Sequence, residues 1–456
     1  ESIVKKIGAL IGLTVLLCLA GSAWAEEFDW KQCEGQTIKI LFNQHPYAEG
    51  IIQKLQEFEA LTGIKVVHTT IPEENYFDKL TTSLSSRSGE PDVFMTGAYQ
   101  CWDYSTSDYM VDLDAFLKDP KKTASDYDYD DFFPGISGAL RWDRVPGHRT
   151  GKGPQWALPI GFEDNVLMYN TDVFAKFGVQ PPKTISELLE LSAKLNEFDG
   201  KGTYGIALRG TRNWATIHPE YMTTYTNYGA VDLAIEDGKL VSKVNSPEAV
   251  AMTDMWVKLV KAGGSPTWSS YTWYQCGADI GAKKAAMMFG ADSTGYFQSV
   301  PGASSQSGKI AFAPPPLPDG QKEIRSNLWV WSLAMNASSQ HQDAAWLFIQ
   351  YFTSKPFQTW SVTEWKSVDP PRKSVFENPK FQEIIAATPG FKETFEATVP
   401  GTTVYFTPNP YFFELATEWA ATLQDLVAGK YGSTQEAMDQ LKAKMDKALA
   451  DVEVKE

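Results

Sequence analysis

The sequence is poor in the residues that most hydrolases, redox proteins and metalloproteins are built around. It holds 5 histidines and 4 cysteines in 456 residues. No two cysteines stand in C-x-x-C spacing, which removes zinc-ribbon and thioredoxin-type readings. No G-x-S-x-G, H-E-x-x-H or G-x-x-x-x-G-K-S/T occurs. Gly151-Lys-Gly153 and Gly200-Lys-Gly202 are loop glycines without phosphate-loop spacing. No catalytic residue, metal ligand or cofactor is therefore expected. Basic charge is also short, with 41 Lys and Arg against 56 Asp and Glu and a net charge of −15. Such a surface repels a phosphate backbone, so nucleic acid is excluded as a partner. After residue 25 no uninterrupted apolar run approaches the about 20 residues that a bilayer core requires.

One apolar run does occur, at the very start. Lys5 and Lys6 precede an apolar stretch over 7–20, and Ala23-Trp24-Ala25 forms a small-residue cleavage site before Glu26-Glu27. This order predicts a cleavable secretory signal over 1–25 and an exported mature chain. Cys18 follows Leu16-Leu17 rather than a small residue, which argues against lipid attachment. The leader carries two lysines and one glutamate, so the mature chain is one unit more negative than the whole. What remains is too long for one ordinary domain and predicts two. Cys33, Cys101 and Cys276 remain, and an oxidising compartment permits one pair among them. The layout favours Cys33 with Cys101, both in the first lobe.

Aromatic residues are plentiful, at 13% with 15 tryptophans. They serve either cores or sites that receive flat apolar faces. Hydrophobic patterning alternates strand and helix from the start. Residues 37–42, 64–70 and 92–96 read as strands, and 50–61 and 75–86 as helices, with Gly63 as a helix stop. This order predicts a parallel sheet with ligand at the carboxyl ends of its strands. Residues 119–153 read as a polar loop region. Further strands follow at 166–169, 203–208 and 285–289. Further helices follow at 171–177, 185–197, 247–262, 343–352, 411–428 and 434–452.

Several segments together resemble one family. Phe58-Glu-Ala-Leu-Thr-Gly-Ile-Lys-Val66 is similar to its F-E-x-x-T-G-I-x-V. Gly89-Glu-Pro-Asp-Val93 is similar to its G-x-x-P-D-V, and Leu158-Pro-Ile160 with Leu167-Met-Tyr-Asn170 to its L-P…L-x-Y-N. Lys284-Ala-Ala-Met-Met288 and the stretch 329–337 resemble its later crossovers. The order and spread over the mature chain resemble the extracytoplasmic solute-binding proteins of bacterial ABC transporters, carbohydrate group, of the maltose-binding-like type. Glu163 and Pro370-Pro-Arg-Lys-Ser374 resemble the polyol and monosaccharide binders of that group. Residues 99–101 and the Trp/Tyr-rich 268–274 fall outside the pattern.

The resemblance implies an α/β fold of two lobes joined by hinge strands, with ligand in the cleft. It implies an N-terminal lobe over 26–142 and 289–338 and a C-terminal lobe over 143–288 and 339–456. It implies a monomeric periplasmic protein that captures a sugar or polyol and hands it to the transmembrane subunits of an ABC permease. A sugar offers apolar C–H faces and a rim of hydroxyls, so aromatic rings and charged hydrogen-bonding groups are the expected partners. Glu163 and Asp164 are candidate acceptors; as an alternative, Glu163 is surface charge. Asp292 is a ligand group or a helix cap. Arg209 and Arg372 are donors or salt-bridge partners. Trp329 and Trp331 share a strand face and line the cleft or the core. Trp273 and Tyr274 are expected in an exposed loop. His45, Asn75, Thr96 and Tyr99 complete the set at the strand ends of the first lobe.

Two other readings compete. An exported glycosidase or lyase would need two carboxylates about 5–5.5 or 6.5–9.5 Å apart across one bond, and Glu163 with Asp292 is the pair to test. A peptide, polyamine or anion binder would show a site dominated by one charge.

Overall fold

The computed structural model describes residues 27–455. The leader over 1–25 lies outside them. Thirteen strands occur among the described residues. They are β1 (Thr37–Asn43), β2 (Lys65–Ile71), β3 (Val93–Thr96), β4 (Leu158–Glu163), β5 (Asn165–Asn170) and β6 (Tyr204–Ala207), then β7 (Leu233–Glu236) and β8 (Lys239–Ser242). β9 (Ala285–Ala291), β10 (Ile310–Ala313), β11 (Ser326–Asn327), β12 (Trp329–Met335) and β13 (Thr402–Thr403) follow.

They assemble into two main sheets. The first has the order β2-β1-β3-β12-β4, with β1, β2 and β3 parallel and β12 antiparallel to both its neighbours. The second has the order β10-β5-β9-β6, with β6 parallel to β9 and β5 antiparallel to β9 and β10. β3, β4, β6, β9 and β12 are buried at every residue. Continuous apolar strands of this kind need helices on both faces.

The local signals act as their chemistry requires. Gly63 and Gly178 close helices in the left-handed conformation, at φ 70° and 61°. Thr184 and Glu187 form a reciprocal capping box, and Ser246 caps a helix with Pro247 in its first turn. The helix expected over 50–61 is two, Pro46–Gln53 and Leu55–Thr62, broken at Lys54. The first starts early because the His45 side chain accepts from the Tyr47 N–H and Pro46 suits a first turn. Trp273 and Tyr274, expected in a loop, open the Trp273–Gly281 helix. Thr272 caps it and Gln275 completes the box.

Sheet membership runs differently from the lobe boundaries expected from sequence. β10, within 289–338, pairs with β5 in the second sheet. The Gln342–Phe352 helix, just past 338, packs on the first lobe. Phe348 lies 5.4 Å from Phe58, and Trp346 lies 5.6 Å from Phe116. The last long helices return to the second body, where Trp419 meets Tyr225 at 5.0 Å. Cys33, Cys101 and Cys276 are all buried and free, so the Cys33–Cys101 pair is not formed. Many tryptophans serve the core: Trp102, Trp142, Trp256, Trp346 and Trp419 are fully buried.

One glycine fixes a wall of the interlobe region. Gly97 follows β3 directly, and a Cβ there would stand 2.5 Å from Cη2 of Trp329. The indole packs into the space that glycine leaves. Gly97→Ala therefore displaces the Trp329 ring and should cost about 1–3 kcal/mol, the scale of overpacking. Chemical denaturation of the two proteins side by side measures it; an unchanged midpoint would show that the ring moves freely.

Candidate functional site

The carboxyl ends of the parallel strands in both sheets face one another. β1 ends before His45, β2 before Glu73, and β4 on Glu163. β12 runs the other way, so its first residues, Trp329 and Trp331, lie at the same edge. From the second sheet, β6 leads to Arg209 and on to Trp214 and His218, and β9 leads through Asp292 to Ser293 and Thr294. Together with Trp273 these residues line one small cavity. Its volume is about 20 Å³, room for a single water molecule.

The ring walls are specific. Trp329 and Trp331 meet edge to face at 4.9 Å, and Trp214 lies 5.5 Å from Trp329. His45 sits 5.1 Å from Trp331 and 5.7 Å from Trp273. Its Nδ1 accepts from the Tyr47 N–H at 3.2 Å. In the neutral ring the proton is then on Nε2, which lies 3.7 Å from Glu163 Oε1. Trp331 Nε1 donates to the same oxygen at 3.2 Å. The Glu163 carboxylate is thereby held in one orientation by a neighbouring strand.

The remaining charges counter one another. Glu73 accepts from Asn43 Nδ2 at 3.2 Å and from Trp273 Nε1 at 3.1 Å. Burial raises its pKa, and nearby Arg209 opposes the shift. The Arg209 backbone N–H donates to Glu220 at 2.8 Å and its Nη1 to the Ala215 carbonyl at 3.3 Å. Its Nε has no partner among the described residues. His218 is neutral, because burial and the Arg209 charge push its pKa well below the ordinary value. Its Nδ1 also lacks a partner among the described residues. The cavity thus presents fixed carboxylate acceptors, an arginine donor, a neutral imidazole and indole faces. A polyhydroxy molecule without net charge can pair with all of these.

Of the sequence candidates, His45, Glu163, Arg209, Trp273, Trp329 and Trp331 surround this cavity. Tyr274 lies outside it, on a groove of about 910 Å³ that shares Glu73, Arg209, Trp214 and Trp273 with the cavity. Tyr99 is one layer back. Its hydroxyl donates to the Leu328 carbonyl at 2.8 Å and accepts from Asn327 at 2.7 Å, so it braces the Trp329 wall. Thr96 is buried beside β12, away from the cavity. Asn75 is exposed on the Glu73–Ser85 helix; Glu73, two residues earlier, is the group that faces the cavity. Arg372 is a core residue. It donates to the Thr353 carbonyl at 2.8 Å and the Asp128 carbonyl at 2.7 Å, and its guanidinium stands 4.0 Å over the Phe132 ring. Glu73, Trp214, His218, Ser293 and Thr294 were missed. Each lies within nine residues of a residue that was named, on the segment that follows the same strand.

Asp164 and Asp292 have a different setting. Asp164 is the single residue between β4 and β5, where the chain passes from one sheet to the other. Its carboxylate accepts from the Thr402 hydroxyl. Its backbone N–H donates to Asp292 at 3.2 Å, and its carbonyl accepts from the Asp292 N–H at 2.9 Å. Asp292 stands beside the buried Asp369, whose two carboxyl oxygens have no hydrogen-bond partner among the described residues. Burial raises all three pKa values, that of Asp164 to about 7, and for Asp292 and Asp369 the neighbouring carboxylates add to the rise. Asp292 Oδ1 accepts from the backbone N–H groups of Asp164 and Ser293, and Asp292, unlike Glu163, does not line the cavity.

Two outcomes follow from these placements. The folded state holds protons on the trio that the unfolded chain releases near the ordinary aspartate value of 3.8. Stability from this source is full at low pH and is lost as pH rises towards and past about 7. The melting temperature should fall between about pH 4 and 7, and Asp369→Asn should flatten that slope. An unchanged slope in the variant would remove the trio as its source. Arg372→Met should destabilise the fold by about 3–5 kcal/mol, as for removing one partner of a buried charged network. Ligand affinity measured well below its melting temperature should stay at the wild-type value.

Comparison with known proteins gives this architecture its place. The family model described as bacterial extracellular solute-binding protein matches residues 44–359. An erythritol/L-threitol-binding protein of Mycolicibacterium smegmatis is 39% identical over 404 residues, covering 88% of this chain and 84% of that protein. A mannitol-binding protein of Pseudomonas aeruginosa is 26% identical, over 75% of this chain and 74% of that one. In structure, an ABC transporter solute-binding protein from Agrobacterium radiobacter in complex with ribitol superimposes with a TM-score of 0.78. It is 23% identical, over 91% of this chain and 99% of that one. With two sheets meeting at their strand ends over an aromatic, hydrogen-bonding cavity, the chain belongs to the bacterial extracellular solute-binding proteins.

Proposed function

We propose that the cavity captures a short, neutral alditol and that the closed protein delivers it to an ABC permease. The observation that carries this is the site's composition. Acceptors at Glu73 and Glu163, the free Nε of Arg209 and the neutral His218 stand among four indoles, so the site is built of neither carboxylates alone nor arginines alone. A polyamine would call for uncompensated carboxylates, and an anion for several arginines or helix N-termini. Each hydroxyl of an alditol is both donor and acceptor, and its C–H faces suit Trp329, Trp331 and Trp273. The names of the relatives support the same chemistry: erythritol and threitol, mannitol, and ribitol.

The two lobes in this reading are bodies of several chain passages. β1–β4 and β12 with the Gln342–Phe352 helix form one. β5–β10 with the Phe412–Val427 and Thr434–Ala448 helices form the other. The cavity is smaller than any sugar, so entry requires the lobes to part about Asp164 and the other crossings. Ligand that touches both lobes then favours closure by its differential affinity for the closed form. Export to the periplasm, recognition of the closed shape by permease subunits, and capture without chemistry complete the proposal.

The test is a thermal-shift screen of tetritols, pentitols, hexitols, aldoses, polyamines and amino acids, followed by titration calorimetry and product analysis. Alditols should raise the melting temperature, as expected for a ligand that binds only the folded state. Trp331→Ala should weaken binding about 10- to 100-fold, since it removes a face and frees Glu163. A shift given only by amines or amino acids, or turnover of a glycoside, would overturn the assignment.

A further inference from the structure

Lobes that part to admit a ligand need contacts that favour their meeting again, and one exposed tyrosine is placed to make such a contact. Tyr274 is 41% exposed and does not line the cavity. Its hydroxyl crosses the cleft and donates to the Gln44 carbonyl at 3.2 Å. Beside it, Trp273 Nε1 donates across the cleft to Glu73 at 3.1 Å. Both donors sit on one stiff support. Thr272 and Gln275 form a capping box around them, and the two rings stack at 3.8 Å. The Trp273–Gly281 helix packs against β9 and the Asp292–Ser299 helix of the second lobe. Both acceptors are fixed in turn on the first lobe. Gln44 directly follows β1, and its N–H donates to the Ile71 carbonyl at 2.8 Å. Asn43 Nδ2 holds Glu73 at 3.2 Å.

We propose that Tyr274 and Trp273 form a latch between the lobes, and that Tyr274 sets affinity and release rate without touching the ligand. This rests on the reading of the cavity as the place where ligand is enclosed. Trp273 belongs to the wall, with Glu73, Arg209 and Trp214, that the cavity shares with the outer groove. A ligand that leaves by that side needs Trp273 to withdraw, and withdrawal breaks both cross-lobe bonds. Donors and acceptors are held before they meet, so little side-chain freedom is lost when the latch forms. Water takes over the same groups when it breaks, so the latch is weak enough to reopen. The Tyr274 bond stabilises the closed form and contacts no ligand atom. Its loss therefore weakens every ligand by one common factor, as a lower population of the closed form does.

Tyr274→Phe removes the hydroxyl and keeps the ring on Trp273. Erythritol, ribitol and D-mannitol are compared on wild type and variant by titration calorimetry and stopped-flow dissociation. Affinity for each ligand that binds should fall by about 5-fold, the net worth of one water-accessible hydrogen bond, with faster dissociation carrying the change. Trp273→Phe also alters the cavity wall, so it should weaken binding by factors that differ between ligands. A second readout needs no ligand. Spin labels on Lys118→Cys and Lys258→Cys, exposed positions on opposite lobes, report the lobe separation by pulsed electron resonance. The ratio of closed to open protein should fall by about 5-fold in Tyr274→Phe. An unchanged dissociation rate, an unchanged closed fraction or a loss confined to one ligand would overturn the latch while leaving the alditol reading intact. A wild type that binds no alditol would overturn that reading, and the closed fraction would then decide the latch by itself.

Discussion

Between β4 and β5 the chain spends one residue, Asp164, in passing from the first sheet to the second. Two strands joined by one residue cannot separate far, so the edges of the two sheets are held together wherever the lobes move. Asp164 is tied to Asp292 through both of its backbone groups and to Thr402 through its carboxylate. Asp292 in turn continues β9 and stands beside Asp369, on the segment that follows the Lys355–Thr363 helix. Four separate passages of the chain therefore meet at one buried acidic knot. The cleft lies directly above it, because Glu163 precedes Asp164 and Ser293 follows Asp292.

That geometry explains the division of labour among the acids. Glu163 and Asp164 are adjacent in a strand-like run, so their side chains point to opposite sides. Glu163 faces the rings and is oriented by Trp331 and His45. Asp164 faces the hinge and, with Asp292 and Asp369, holds protons in a dry environment. Carboxylates at the cavity remain available as acceptors, whereas those at the knot are consumed by structure. Charge around the cavity is balanced by Arg209, which stands between Glu73 and Glu220.

Much of this was readable from the sequence where a residue's role follows from chain direction. His45 and Arg209 lie just past the strands read over 37–42 and 203–208, where parallel sheets put ligands, and Glu163 follows from the resemblance to polyol and monosaccharide binders. The paired Trp329 and Trp331 followed from the two-residue period of a strand. Roles fixed by packing were less accessible. Nothing local distinguishes Arg372, closed in by Phe132 and two carbonyls, from an arginine that reaches a ligand. Glu73 is hard to see in the sequence because the helix begins at it, two residues before the expected start at Asn75, after a strand that is exposed along much of its length. Trp273 was read as loop because aromatic residues hide a capping box whose members, Thr272 and Gln275, lie on either side of them. The free state of Cys33 and Cys101 depends on distances that spacing along the chain does not set.

Closure has a physical limit that the contacts make visible. The two hydrogen bonds that the Trp273–Tyr274 start throws across the cleft, to Glu73 and to the Gln44 carbonyl, are each worth about 1 kcal/mol net, since water satisfies the same groups when the lobes part. Contacts of that size bias an open–closed equilibrium by tens-fold at most. A larger shift must come from interactions that exist only when a ligand lies between the lobes, on Glu163 and Trp331 from one side and Arg209 and Trp273 from the other. The Nε of Arg209 and the Nδ1 of His218 have no partner among the described residues. They are polar groups whose burial on closure is costly until something completes them. On the proposed function, closure is then weak without cargo and firm with it.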